Sequence, residues 1–161
     1  EAVRRQCIEV VRRSAPGRVM LQADEVQLEQ AVYNVLKNAV EAMPDGGRLT
    51  VETGRDDGAG TVLVSVQDTG CGIPADEHER IFDAFYTTKA HGTGLGLSIV
   101  EGVLKNHGGS AVVEHPEGQA TGTRIVLRLP ADPRQERGPA SVFPRQARTA
   151  AAGVPRPERK G

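Results

Sequence analysis

Two glycine-rich stretches constrain this chain more than any other feature: Asp68-Thr69-Gly70-Cys71-Gly72-Ile73-Pro74 and Gly92-Thr93-Gly94-Leu95-Gly96-Leu97. Glycine at this density weakens both helix and strand, so each stretch must be a loop. The first follows the run Val62-Leu63-Val64-Ser65-Val66 and opens at a strand end. There Gly70 and Gly72 permit a backbone path and a close ligand approach that side chains would block. The second runs into a helical pattern over 95–107, which Gly108-Gly109 caps. Exposed amides at a helix N-terminus behind glycines form an anion site. It is not the dinucleotide fingerprint, whose last glycines are three apart and which needs a parallel strand just upstream. It is not a P-loop either, since no Gly-Lys-Ser/Thr follows. Taken singly, the first stretch also fits an Asp-Gly turn and the second a mobile loop before a helix.

The pattern around these loops predicts a mixed α+β domain. Residues 1–14 read as a helix, with Val3, Cys7, Val10 and Val11 on one face, stopped by Ala15-Pro16-Gly17. Residues 18–22 read as a short strand. Asp24 is an N-cap with Gln27 three residues on, and a helix follows to about Met43 with the stripe Leu28, Val32, Val35, Ala39 and Ala42. Pro44-Asp45-Gly46-Gly47 ends it. Leu49, Val51 and Thr53, then Val62, Val64 and Val66, alternate with polar residues as a hairpin turning at 54–60. A short helix is expected over 75–86, ending in Phe82, Phe85 and Tyr86. Residues 111–114 and 123–129 read as closing strands, with Arg124 and Arg128 opposite the face of Thr123, Ile125, Leu127 and Leu129. The expectation is a two-layer sandwich: a mixed, mostly antiparallel sheet of about five strands, with helices on one face.

Composition bounds the class. The chain has 161 residues, about one domain, and a formal net charge of −1, which points to neither nucleic acid nor an anionic membrane. No apolar run approaches the ~20 residues of a membrane span. Cys7 and Cys71 are too few for a disulfide framework or a four-ligand zinc site, and a reduced, cytoplasmic setting is the default. The chain begins with Glu1 without a charged-then-apolar leader, and is read as a piece of a longer protein. Residues 131–161 hold seven basic and three acidic residues and five of the ten prolines. With little larger than Ala to bury, they are expected to be a disordered basic tail. The division is therefore 1–17 as a connecting helix from an upstream region, 18–130 as the domain, and 131–161 as the tail.

Two further segments carry polar chemistry. Asn34 and Asn38 lie four apart in Asn34-Val35-Leu36-Lys37-Asn38-Ala39 and stack on one helix face beside the apolar stripe. Amide oxygens are hard neutral ligands suited to Mg²⁺, although such a pair also serves purely structural ends. Thr87-Thr88-Lys89 brings hydroxyls and a cation ahead of the second glycine stretch. Gly122-Thr123 opens the last strand.

In this order the segments are far more specific than any one of them. They resemble the ATP-binding catalytic domain of sensor histidine kinases, in the gyrase–chaperone–kinase–mismatch-repair ATPase superfamily with its Bergerat-type fold. The Asn34–Ala39 segment resembles the family's N box, and 68–72 its first glycine box. Phe82-Asp83-Ala84-Phe85-Tyr86-Thr87-Thr88-Lys89 resembles its F box, and 92–97 its second glycine box. The likeness spans about 20–130. The Phe-Tyr-Thr-Thr-Lys form and Glu41-Ala42 are most like the nitrogen-regulation type.

The resemblance implies Mg-ATP as ligand. Asp68 would accept from the adenine amino group, with Gly70 and Gly72 beside it and Ala42 and Ile73 lining the slot. Asn38 would hold Mg²⁺, with Asn34 next to it. Thr88 and Lys89 would meet the phosphates. Gly92, Thr93, Gly94, Leu95, Gly96 and Leu97 would form an amide-rich lid over them, and Thr123 would support Asp68 or an adenine-site water. Hydrolysing members of the superfamily carry a water-activating Glu one turn before the metal Asn; here that position is Asn34, which favours transfer to a protein group. The family's acceptor is a His on a dimeric helical hairpin. None of His78, His91, His107 and His115 fits, although His78-Glu79 has the dipeptide. His107 suits a helix C-terminus, and His91 falls in the expected lid. The acceptor hairpin is thus expected elsewhere in the protein, with a response regulator downstream; Phe82, Phe85 and Tyr86 are either ordinary core or, as the resemblance implies, the surface where that hairpin docks. Two other readings stay open: an anti-sigma-type serine kinase, and a nucleotide-sensing module without transfer.

Overall fold

Helix formation begins where the sequence supplies a cap. The Asp24 carboxylate accepts the backbone N–H of Gln27 at 3.0 Å, and the Gln27 side-chain amide returns to it at 3.3 Å, in the computed structural model. The helix that follows, α1, runs Glu25–Glu41. The structure describes residues 7–15, 19–89, 92–114, 116 and 121–132. Ala31, Val35 and Ala39 are the buried positions of α1, spaced four apart. Small residues at two of these three positions allow a close neighbour. That neighbour is α2 (Gly96–Asn106), which buries Val100, Val103 and Leu104.

The strands are β1 (Ile8–Ser14), β2 (Gly47–Asp56), β3 (Thr61–Asp68), β4 (Ser110–Glu114) and β5 (Arg124–Pro130). They form one sheet in the order β1-β2-β3-β5-β4. The β1–β2 pair is parallel and the other three pairs are antiparallel. Alternation sorts the sheet into two faces. Leu49, Val66, Ile125, Leu127 and Leu129 meet both helices in one core with Met43. The two-layer arrangement, the mixed sheet and the helices on one face are therefore as the alternation implies.

Three local expectations are corrected. Residues 8–14 form strand β1 of the sheet, not a connecting helix; residues 1–6 lie outside the described residues. Only Ile8 and Val11 of β1 are half-buried, three apart on opposite faces of a strand, and that spacing imitates a helical stripe. The β-branched run and seven register pairs with β2 decide the outcome. No strand forms over 19–22. The helix expected over 75–86 is two 3-10 turns, Ala75–Glu77 and Arg80–Phe82, because the second stops at an extended Asp83 and is followed by Phe85 with φ 68°. The tail expected over 131–161 falls, from residue 133 on, outside the described residues, as does His91.

Leu104 is fully buried between α1, α2 and the sheet. Leu104→Ala is expected to destabilise the domain by about 2–5 kcal/mol, the cost of lost burial plus a cavity. Urea unfolding measures it, and a change below about 1 kcal/mol contradicts this core assignment.

Candidate nucleotide-binding site

Asp68 ends β3 and is only 4 % exposed. A carboxylate there needs donors, and two backbone amides supply them: Gly70 at 2.8 Å and Thr123 at 3.2 Å, both to Oδ1. Thr123 is held in turn, because its carbonyl accepts the Asp68 N–H at 2.9 Å. It supports Asp68 through the main chain. Oδ2 takes part in neither bond. Burial raises the Asp68 pKa above the ordinary 3.8, while the Gly70 and Thr123 amides oppose the shift. A buried acceptor with one oxygen fixed and the other free suits a neutral donor such as an exocyclic amine.

Gly70 brings this strand end against α1. A Cβ at 70 would collide with the Ala42 carbonyl, so only glycine fits. The Cys71 amide then donates to that carbonyl at 3.4 Å. Ala42, the C-cap of α1, thereby lies directly beside the first glycine loop. Gly72 follows with φ 78°, against Gly122. Ile73 is half-buried, and its carbonyl lies 3.0 Å from His78 Nε2, which ties His78 into the loop.

Asn34 and Asn38 stand on α1 facing the start of α2. A Cβ on Gly96 would sit 3.7 Å from Asn38 Nδ2 and 4.0 Å from Asn34 Oδ1. Asn34 Nδ2 is buried without a hydrogen-bond partner. Asn38 Oδ1 accepts from the Lys89 ammonium at 2.9 Å. This oxygen already receives a cation. Among the described residues no group of three or more His, Cys, Asp or Glu could hold a metal. A hard ion at this site would rely on amide oxygen and on its ligand's own phosphates, which is the manner of Mg²⁺. The donor set fits.

The second glycine loop packs on the segment before it. Gly94, at φ 68°, touches the Phe85 backbone so closely that no Cβ fits, and its carbonyl accepts the Phe85 N–H at 2.9 Å. Thr87 Oγ1 accepts the Lys89 N–H at 3.1 Å, and the Gly92 N–H donates to the Lys89 carbonyl at 3.1 Å. Thr88, Gly92, Thr93 and Leu95 are exposed, while Leu97 is half-buried against the core. The three aromatics part company: Phe82 is buried, Tyr86 half-buried under Arg80 at 4.7 Å, and Phe85 76 % exposed. The sequence segments thus converge on the C-terminal half of α1, with Asp68, Gly70 and Thr123 beyond its end at Ala42 and Lys89 and the start of α2 against Asn34 and Asn38.

Glu41 is the residue that sequence reading left without a role. Its Oε2 lies 2.5 Å from Lys89 Nζ and its Oε1 3.8 Å from Lys37 Nζ. Position alone signalled it, since Glu41 lies three residues beyond Asn38 and so shares its helix face.

The family model for histidine kinase-, DNA gyrase B- and HSP90-like ATPases matches residues 23–133. The chain belongs to this family. Sporulation kinase C of Bacillus subtilis is 41 % identical over 113 residues, covering 70 % of this chain and 26 % of that protein. The sensor histidine kinase ZraS of Escherichia coli O157:H7 is 44 % identical over 112 residues, covering 70 % of this chain and 24 % of that protein. The chain thus spans about a quarter of the length of these relatives. Among solved structures, the mycobacterial sensor histidine kinase MprB superposes with a TM-score of 0.67 at 37 % identity, over 77 % of this chain and 82 % of that one. Full-length ShkA in complex with AMPPNP gives 0.67 at 32 % identity, over 77 % and 26 %. The fold and sequence are those of the ATP-binding catalytic domain of sensor histidine kinases.

If Asp68 takes the adenine amino group, as the resemblance implies, the donor would bind its ionised form and nucleotide binding would lower its raised pKa. Carbon-13 NMR of the carboxyl group is expected to show a midpoint above 3.8 in the free domain and a lower one with adenine nucleotide bound. Affinity then falls on acidification through the free-state midpoint, with a proton released on binding in that range. A midpoint that does not move with nucleotide overturns the adenine assignment.

Proposed function

We propose that this domain binds Mg-ATP and donates its γ-phosphate to a histidine on a helical hairpin elsewhere in the protein. The observation that carries the reading is the buried Asp68, whose Oδ1 is saturated by the Gly70 and Thr123 amides. A carboxylate so fixed accepts the adenine 6-amino group through Oδ2. It rejects guanine, which offers a carbonyl there and would leave the buried acceptor unpaired. Ala42 and Ile73 flank the ring. The complex of ShkA with AMPPNP supports a purine nucleotide in this fold.

At the other end, Asn38 Oδ1 is the metal-facing oxygen, and Asn34 Nδ2 has a hydrogen bond to give. Asn38 would hold Mg²⁺ there, and the ion would supply neutralisation of the charge that develops on the phosphates. The amides of 92–97, the Thr88 hydroxyl and the Lys89 ammonium meet the phosphates, the amides with the help of the α2 N-terminus. Positioning and charge stabilisation are nearly all that phosphoryl transfer asks of a protein. Asn34 occupies the position where hydrolysing members carry a base. With no carboxylate to activate water there, the phosphoryl group is kept for an external nucleophile.

Phe85 supports the docking part of the reading. A large apolar side chain 76 % exposed in a left-handed conformation is costly in water and suits a protein contact. Phe82 is buried and so drops out of the expected docking surface, which leaves exposed Phe85 and half-buried Tyr86 for the acceptor hairpin, beside the loop that meets the phosphates. A response regulator then takes the phosphoryl group from the histidine; the complex of the histidine kinase ThkA with the response regulator TrrA, at 28 % identity and a TM-score of 0.65, supports that step. The catalytic part takes in 18–130 together with β1, which pairs with β2 in the same sheet. Among the described residues no helix is long and apolar enough to cross a membrane. From its likeness to sensor histidine kinases we infer a cytoplasmic domain.

Two experiments test this. The full-length protein supplied with γ-labelled ATP is expected to carry an acid-labile, base-stable label, the mark of phosphohistidine. An acid-stable label would instead select the serine-kinase reading, and no label would leave the nucleotide-sensing module. Separately, Asn38→Ala is expected to abolish the gain in nucleotide affinity on adding Mg²⁺, measured by titration calorimetry. An undiminished gain removes Asn38 as the metal-facing residue.

A further inference from the structure

The Lys89 ammonium sits where a metal ion is wanted. It donates to Asn38 Oδ1 at 2.9 Å and to Glu41 Oε2 at 2.5 Å, reaching back 51 and 48 residues along the chain. An ammonium and a divalent cation on the same amide oxygen would stand close enough to repel each other strongly, so the two compete for it. The contact does little for stability, since the Lys89 and Glu41 side chains are 44 % and 40 % exposed, and ion pairs this exposed are weak. What it fixes is the location of a positive charge. Glu41 is itself held between two cations, with Lys37 at 3.8 Å from Oε1 and Lys89 at Oε2. Both lysines lie on the same side of α1 as Asn38 or hang over it from the segment before the second glycine loop.

We propose that Lys89 is a resident counter-cation, which Glu41 holds on Asn38 Oδ1 in the nucleotide-free domain and which metal-bound nucleotide displaces. The inference rests on Asn38 as the metal-facing residue and adds a role for Glu41. Glu41 is a positioning residue: it acts on the nucleotide only through where it keeps Lys89. On displacement the four-carbon stem of Lys89 carries the ammonium toward the phosphates, a move that a flexible point charge makes easily. The site thereby avoids exposing an unpaired amide oxygen. It also discriminates against metal-free nucleotide, because the cation that would otherwise greet the phosphates is engaged with Glu41.

The test is the ratio of AMPPNP affinity in Mg²⁺ to that in EDTA, from titration calorimetry on the domain or the full-length protein. Glu41→Gln frees Lys89 for the phosphates, so metal-free binding tightens and the ratio falls, by about two- to fivefold on the scale of an exposed ion pair. Lys89→Met removes the competitor for Asn38 and the free cation together, so the ratio rises. The double variant separates positioning from a general charge effect. With Met at 89, Glu41→Gln is expected to leave the ratio unchanged. An equal effect of Glu41→Gln in both backgrounds overturns the proposal. In the nucleotide-free protein, the Asn38 side-chain amide resonances are expected to shift alike in Glu41→Gln and Lys89→Met, and unmoved resonances also overturn it. If Asn38→Ala abolishes the metal effect while neither exposed substitution alters the ratio, this inference fails and the metal reading stands. If Asn38→Ala changes nothing, both fall.

Discussion

The contact between Gly70 and the Ala42 carbonyl is what makes one site out of two ends. Asp68 belongs to the sheet and Asn38 to a helix, and their positions matter only relative to each other. Because a Cβ at 70 would collide with that carbonyl, the loop after β3 can lie directly on the end of α1. The Cys71 amide then ties the two at 3.4 Å. The same helix carries its asparagines toward the start of α2, whose packing on Ala31, Val35 and Ala39 sets the distance across the site. A swollen core would therefore spread the site before it unfolded the chain.

The face of the sheet away from the helices follows another rule. Arg13, Glu52, Arg124, Glu114 and Arg128 form a chain of ion pairs at 3.0, 3.2, 3.5 and 3.1 Å, and Ser65 adds a hydroxyl to Glu52 at 3.3 Å. These residues come from all five strands. Arg124 is only 7 % exposed, and a charge so buried costs desolvation that its partners offset. Such a network is weak evidence for stability. It does specify which strand lies beside which, since a one-residue slip would turn Glu52 or Arg124 to the apolar face.

How far the sequence could be read depends on how local each cause was. The Asp24 cap, the α1 stripe, the alternation in β2 and β3 and the Gly108-Gly109 stop all act within a turn or a hairpin, and the elements they imply are present. Strand β1 misled because its cause lies 39 residues away in β2, and because an edge strand with little burial shows no alternation. The 75–86 segment misled because Asp83 turns extended and Phe85 is held left-handed against Gly94, which no helical period can reveal. In the site, the motif residues were legible because glycine, Asn and Asp leave chemical signatures at fixed spacing. The Glu41–Lys89 pair was not, because nothing local in either residue names the other.

The chemistry now reads as a division of charge. On the proposed reading the site holds one buried carboxylate at the base end and neutral amides at the phosphate end, and the nearby acid Glu41 is occupied by lysines. A free carboxylate beside the phosphates would repel them and could also activate water. Asn34 in place of an acid, and Glu41 turned to Lys37 and Lys89, leave no such group among the described residues around Asn38. On that reading the two arrangements serve one end: negative charge stays at the Asp68 end, while amides and a lysine stand at the other. A site built this way would protect a phosphoryl group from water until a nucleophile is brought to it, and the exposed Phe85 lies back to back with Gly94.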